Sequence, residues 1–262
     1  MGRSAEDFPE RVSSWADLSA LVEHVSYFNG HAWLFRGVPD AGYGLVPKIG
    51  RDDTRAEKQG TRTPYRLEDE RALFTMFVQQ ARPHVPRYPN HDLEWLAVAQ
   101  HHGLPTRLLD WTESLLVAAW FAVLPGGGRP QDSAIWVACG IPSIAADFRG
   151  DPFSLAEPCC YRPPHISPRI AAQSSVFVLC PRPTEELKPA FVRKVVIAPS
   201  VQFTLKKRIN ACGINSRQLF PDLAGLSEHL EWMYKHDWLA GYRQDRTLPP
   251  GPPDDSGLEE GD

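Results

Sequence analysis

The sequence predicts one α+β domain, with a small mixed or antiparallel sheet and flanking helices. Three observations predict it. Apolar residues recur at helical spacing in several separate segments. Short apolar runs bounded by Gly and Pro lie between those segments and read as strands. No internal repeat and no composition shift inside residues 10–242 divides the chain. The length of 262 residues, with 42% hydrophobic and 23% charged residues, suits a soluble domain with a sizeable core.

Each element follows from local chemistry. Ser14-Trp15-Ala16-Asp17 reads as a capping box, and Trp15, Leu18, Leu21, Val22, Val25 and Phe28 form a helical stripe behind it. Asn29-Gly30 turns the chain into a buried strand over 32–35. A polar insertion, expected to be mobile, covers 51–64. A helix starts near Leu67 and ends before Pro83. Asn90 can cap a helix over 92–101, which Gly103 stops. Residues 107–109 read as a strand. Thr112 can cap a helix over 113–123 that is apolar all round and hence buried. Residues 133–139, 175–179 and 192–198 read as strands, and 200–213 and 226–239 as helices. The expected organisation is a disordered start over 1–12, a folded domain over 13–242, and a disordered Pro-rich acidic tail over 243–262.

Composition excludes some classes. The formal charge of 28 − 32 = −4 argues against broad nucleic-acid binding. Cys139, Cys159, Cys160, Cys180 and Cys212 show no zinc spacing, so reduced thiols and no metal are expected. The first residues lack an apolar signal region, and no apolar run reaches membrane-spanning length. A cytoplasmic protein without a membrane partner is the expectation.

The chemistry concentrates in two places. His101-His102-Gly103-Leu104-Pro105-Thr106-Arg107-Leu108-Leu109-Asp110-Trp111-Thr112 gathers ionisable and hydrogen-bonding groups around one turn. Upstream, Trp33-Leu34-Phe35-Arg36-Gly37 ends an aromatic strand on Arg. Together they suggest a polar cleft on an α/β core. Arg36 suits an anion contact or a salt bridge to Asp110. Arg107 suits a second anion contact or a solvated surface charge. His101 and His102 lie at a helix C-terminus, as general bases, ribose contacts or caps. Asp110 reads as a reacting carboxylate or as the partner of His or Arg. Trp111 can stack on a ring or sit in the core, and Thr112 can cap a helix. Glu94 could support Arg36 or Arg107 from behind, or lie on an exposed face. Tyr43 and Lys48 could close over a ligand. Lys206, Lys207 and Arg208 read as a solvated face.

These segments resemble the FRG domain family, whose Phe-Arg-Gly signature stands here as Phe35-Arg36-Gly37. The resemblance continues through residues 43–48, through 93–112 and its following Ala-rich helix, and through residues 168–177, 213–215 and 219–223. The order of motifs also resembles arginine-type ADP-ribosyltransferases. That resemblance implies an ADP-ribosyltransferase-like fold with NAD as substrate. It puts Arg36 and Gly37 at the NAD phosphates, with Asp110, Trp111 and Thr112 at the ring and ribose and Gln173 where that family has its catalytic Glu. Two motifs depart from it. Asp110-Trp111-Thr112 replaces Ser-Thr-Ser, and the neutral Gln173 cannot supply the charge of Glu. The chemistry then either uses another carboxylate, for which Asp110 and Glu94 are the candidates, or is absent; His102, Asp110 and Gln173 are the catalytic candidates. Arg36, Gly37, Tyr43, His101, Arg107, Trp111 and Thr112 are the candidates for holding the nucleotide.

Three functions follow as expectations. The first is an ADP-ribosyl transfer or NAD hydrolysis enzyme, with a protein or nucleic acid as acceptor, of the kind used by bacterial toxins and phage-defence effectors. The second is a module that binds a nucleotide or phosphate without reacting. The third is a metal-independent nuclease using His101 or His102 with Asp110.

Overall fold

The structure is a computed structural model that describes residues 8–27, 32–54, 57–58, 61–85, 87–124, 130–164 and 167–238. In chain order the elements are β1 (Arg11–Val12), α1 (Trp15–Tyr27), β2 (Leu34–Val38), β3 (Glu57–Lys58), β4 (Thr61–Arg62), α2 (Leu67–Ala81), α3 (Asp92–His101), β5 (Leu108–Thr112) and α4 (Leu115–Ala122). There follow β6 (Ser133–Cys139), β7 (Cys159–Tyr161), α5 (Pro168–Ala172), β8 (Ser175–Leu179), β9 (Phe191–Ile197), α6 (Pro199–Ala211), α7 (Ser216–Leu219) and α8 (Leu223–Lys235). Seven strands form one mixed sheet in the order β1-β9-β6-β2-β5-β8-β7. The β1–β9 pair is parallel and the others are antiparallel. The expected α+β architecture is present. No helix is long and apolar enough to cross a membrane among the described residues.

Alternation sets the two faces of the sheet. On one face Phe35, Ile135, Val137, Val195 and Ile197 pack under α1, α4 and α6. Farther along the same face Leu108, Phe177, Leu179 and Tyr161 pack against α2 and α3. The opposite face carries Leu34, Val38, Leu109, Trp111, Trp136 and Val178, closed by Leu45 and Leu187 from loops. The helices thus form two groups on one face, and the gap between them lies over β2 and β5.

The apolar α4 is pressed directly onto β2. A Cβ at Gly37 would lie 1.9 Å from the Ala118 carbonyl oxygen, so only glycine permits this approach. Trp120 on the same helix is 1% exposed. Truncating such a side chain to Ala costs about 3–5 kcal/mol.

Several boundaries differ from expectation. The strand read over 107–109 runs on to Thr112, and Ser114 caps α4 by accepting from Val117 N at 3.4 Å. The cap of α3 is His91, one residue after Asn90. Arg11 and Val12 lie in the sheet, with Val12 fully buried, so the disorder expected over 1–12 does not hold there. Within the insertion over 51–64, residues 52–54 form a 3-10 turn and β3 pairs with β4. Residues 1–7, residues 55–56 and 59–60 of the insertion, and the tail over 243–262 lie outside the described residues.

Candidate functional site

The cleft opens where the sheet is weakly closed. β2 pairs with β6 along its whole length, but with β5 only at Phe35↔Thr112. Beyond that pair a side chain takes the place of the ladder. Arg36 Nη1 donates to the Asp110 carbonyl at 2.6 Å and lies 3.7 Å from Asp110 Oδ2. Between the helix groups a cavity of about 300 Å³ forms above this point. Its polar lining includes Arg36, His101, Asp110, Gln173 and Ser175, and its aromatic walls are Phe35, Phe121, Phe177 and Phe220.

Arg36 is the under-compensated charge of the site. Its side chain is only 15% exposed, and Nε is buried without a hydrogen-bond partner. Burial pulls the guanidinium below its ordinary value, Asp110 opposes that, and nearby Arg51 adds repulsion. Cys180 lies close but gives no counter-charge, because burial pushes its thiol up to about 12. A buried donor left unmade costs about 1–3 kcal/mol, more when charged. An anionic ligand would recover that cost.

Asp110 is the accessible carboxylate, with its side chain 57% exposed. Its Oδ2 accepts from Gln100 Nε2 at 2.8 Å. Gln100 Oε1 in turn accepts from Thr106 Oγ1 at 2.7 Å. Neither Gln100 nor Thr106 stood out as a site residue in the sequence. Both lie in the 93–112 stretch, and their spacing across the Gly103 turn was the available signal. The aromatic walls Phe121, Phe177 and Phe220 were likewise missed, because apolar residues at helix and strand spacing read simply as core.

His101 and His102 part company. His101 lines the cleft, with Nε2 at 3.3 Å from Ser167 Oγ. Burial, His102 and Arg169 lower its proton affinity, so its ring is neutral at pH 7. His102 instead faces an apolar groove with Leu73 and Phe77 and a side pocket with Arg87. Its expected catalytic place beside Asp110 is corrected, because neighbouring residues at a helix end point in different directions.

Other expected site residues have structural partners. Arg107 is 1% exposed and donates from Nε to Glu70 Oε1 at 3.1 Å and from Nη2 to Glu70 Oε2 at 2.6 Å. Tyr65 joins this pair, and the guanidinium lies over the Phe153 ring. Burial works against the Arg107 charge, and Glu70 more than restores it. The expected anion contact for Arg107 is therefore replaced by a buried ion pair away from the cleft. Glu94 is buried too, but accepts from Asn90 N at 2.5 Å and closes the start of α3. It supports neither Arg36 nor Arg107. Tyr43 is 55% exposed and stands outside the cleft lining. Lys48 donates to the Gly103 carbonyl at 2.7 Å, at the C-terminal end of α3, where the helix dipole favours a cation.

Gly37, Trp111, Thr112 and Gln173 all border the cleft, and the side-chain polar groups of Thr112 and Gln173 are committed. Gly37 provides the close approach to α4. Trp111 packs with Leu109 and Val176 on the opposite face of the sheet, and its Nε1 is buried without a partner. Thr112 Oγ1 donates to the Gln173 carbonyl at 2.7 Å and accepts from Ser114 N at 3.0 Å. Gln173 is the C-cap of α5 and lies before β8, not in it. Its Nε2 donates to the Leu219 carbonyl at 3.0 Å, and its Oε1 accepts from Ser175 Oγ at 3.4 Å. The next residue, Ser174, has φ 46°, a left-handed conformation uncommon outside glycine. Among the described residues no group of three or more His, Cys, Asp or Glu could hold a metal ion.

The fold and site define an α+β domain with a half-buried arginine and an accessible aspartate in one aromatic-walled cleft. The chain carries an FRG domain: the model of that family matches residues 31–126. The match spans β2 to α4, and so takes in Arg36, His101 and Asp110, whereas Ile170, Gln173 and Phe220 complete the cleft from outside it. No curated protein and no solved structure matches the chain.

Proposed function

We propose that the cleft binds a nucleotide and acts on its glycosidic bond, with NAD as the candidate substrate. The observation that carries this reading is Arg36, a half-buried cation with a buried, unpartnered Nε, whose Nη1 lies 3.7 Å from an accessible carboxylate. The volume of about 300 Å³ fits the nicotinamide-ribose part of such a ligand better than the whole. In this reading the phosphates discharge Arg36 and the aromatic walls hold the ring.

Asp110 supplies the negative charge that the neutral Gln173 cannot. As the C1′–nitrogen bond breaks, nicotinamide leaves neutral with the bonding electron pair. Positive charge then grows at C1′, and the Asp110 carboxylate stabilises it. An acceptor hydroxyl, from water or a macromolecule, forms the new bond to C1′. Its proton passes to the neutral His101 ring or to solvent.

The test is an NAD titration followed by thermal denaturation. Saturation at 100 times Kd stabilises by about 2.7 kcal/mol. We expect a rise in Tm for the wild type and none for a folded Arg36→Ala. Equal stabilisation of both proteins would remove Arg36 from the reading. A second reading, binding without reaction, draws on Gln173 and Thr112, whose polar groups are held by protein partners. It predicts stabilisation by NAD without release of nicotinamide.

A further inference from the structure

We propose that Thr106 and Gln100 form a one-way hydrogen-bond relay that positions Asp110, and this rests on Asp110 being the reacting carboxylate. The direction is fixed from the Asp110 end, because an ionised carboxylate can only accept, so Gln100 turns its NH₂ group to it and its Oε1 to Thr106. The Leu108 backbone N–H can only donate, and it donates to Thr106 Oγ1 at 3.1 Å. The Thr106 hydroxyl sends its own proton to Gln100 Oε1, at 2.7 Å. Gln100 Nε2 lies 2.8 Å from Asp110 Oδ2. The Thr106 hydroxyl, itself anchored on the Leu108 N–H of the sheet, thereby holds the far end of the amide that holds Asp110.

The relay and Arg36 converge on the same carboxylate oxygen, Oδ2. Oδ1 receives no hydrogen bond among the described residues, while the side chain is 57% exposed. Asp110 is thus held by one oxygen and offers the other to the cleft. Thr106 is 1% exposed, so water does not compete for its hydroxyl. Thr106 and Gln100 are positioning residues, since neither is part of the cleft lining.

Thr106→Val keeps the side-chain shape and removes the hydroxyl, whereas Thr106→Ser keeps the hydroxyl. The first readout is the Gln100 side-chain amide in ¹H–¹⁵N NMR of the full chain. In the wild type we expect dispersed, slowly exchanging amide protons. They move in Asp110→Ala, collapse toward free-amide positions in Thr106→Val, and return in Thr106→Ser. The second readout is NAD turnover. Thr106→Val should lower kcat by about 10²-fold, the order expected of a misplaced group, with KM little changed, and Thr106→Ser should restore kcat. Gln100 amide signals identical in Thr106→Val and wild type would overturn the relay. A normal NMR result without wild-type turnover would overturn the NAD reading instead. Loss of turnover equal in Thr106→Val and Thr106→Ser would overturn positioning by the hydroxyl.

Discussion

Arg36 and Arg107 begin with the same chemistry and end with different roles, which shows what decides an arginine's use. Arg107 meets a carboxylate with both ends of its fork and lies over Phe153, so its charge is satisfied. Arg36 meets a carbonyl and a carboxylate at 3.7 Å, and one of its donors stays unmade. Removing Glu70 tests the first case. Glu70→Gln leaves a cation in the interior without its counter-charge, and should destabilise by about 3–5 kcal/mol in urea denaturation. Tyr65→Phe, which takes only the hydroxyl from that group, should cost about 1 kcal/mol. A smaller loss for Glu70→Gln than for Tyr65→Phe would contradict the buried-pair account. Gly37 supplies the other single-residue test. Gly37→Ala drives a methyl against the α4 backbone, and should cost about 1–3 kcal/mol or more as a loss of Tm, without any ligand present.

At the scale of elements, caps and close contacts fix where the helices start. Ser114 holds α4, Asn215 holds α7 and Asp222 holds α8, each by accepting from a backbone N–H of the first turn. Ser114→Ala should therefore cost about 1 kcal/mol, and Thr112→Val should add to it because Thr112 Oγ1 accepts from Ser114 N. A double mutant no less stable than Ser114→Ala would show that the Thr112 contact is idle. The long elements were legible in the sequence. The strand at 133–139 and the helix at 92–101 have the predicted limits, because full burial and a glycine stop with φ 83° at Gly103 leave clear marks. β1, β7, α5 and α7 were not legible. Each has five residues or fewer, too short for a period to repeat. The site divided in the same way. Arg36 and Asp110 were visible as charges beside apolar strands, but their meeting depends on the partial β2–β5 pairing. Gln173 looked like a residue entering a strand, yet it caps a helix, so its amide faces partners from a distant segment.

For the whole molecule, burial of neutral histidines links stability to pH. Burial lowers the proton affinity of His229, and Arg217 adds to this. Burial lowers that of His101 as well. Each folded-state value lies below the unfolded value of about 6.5, so the unfolded chain binds more protons as pH falls. Stability from these groups is present above that value and lost on acidification through the folded-state values. The denaturation midpoint should fall between pH 7.5 and 5.5, and His229→Gln should flatten that fall. A midpoint that rises on acidification in the wild type alone would reverse the assignment. Between β2 and β5 the sheet is left partly open, and there a half-buried cation meets an accessible carboxylate. Nicotinamide release from labelled NAD, with cell lysate as acceptor, by wild type and by Asp110→Asn reads out what that pair does. Release by the wild type, reduced about 10²-fold or more in a folded Asp110→Asn that still binds NAD, is the predicted result. Equal release by both proteins, or no release by a folded wild type that binds NAD, would contradict it.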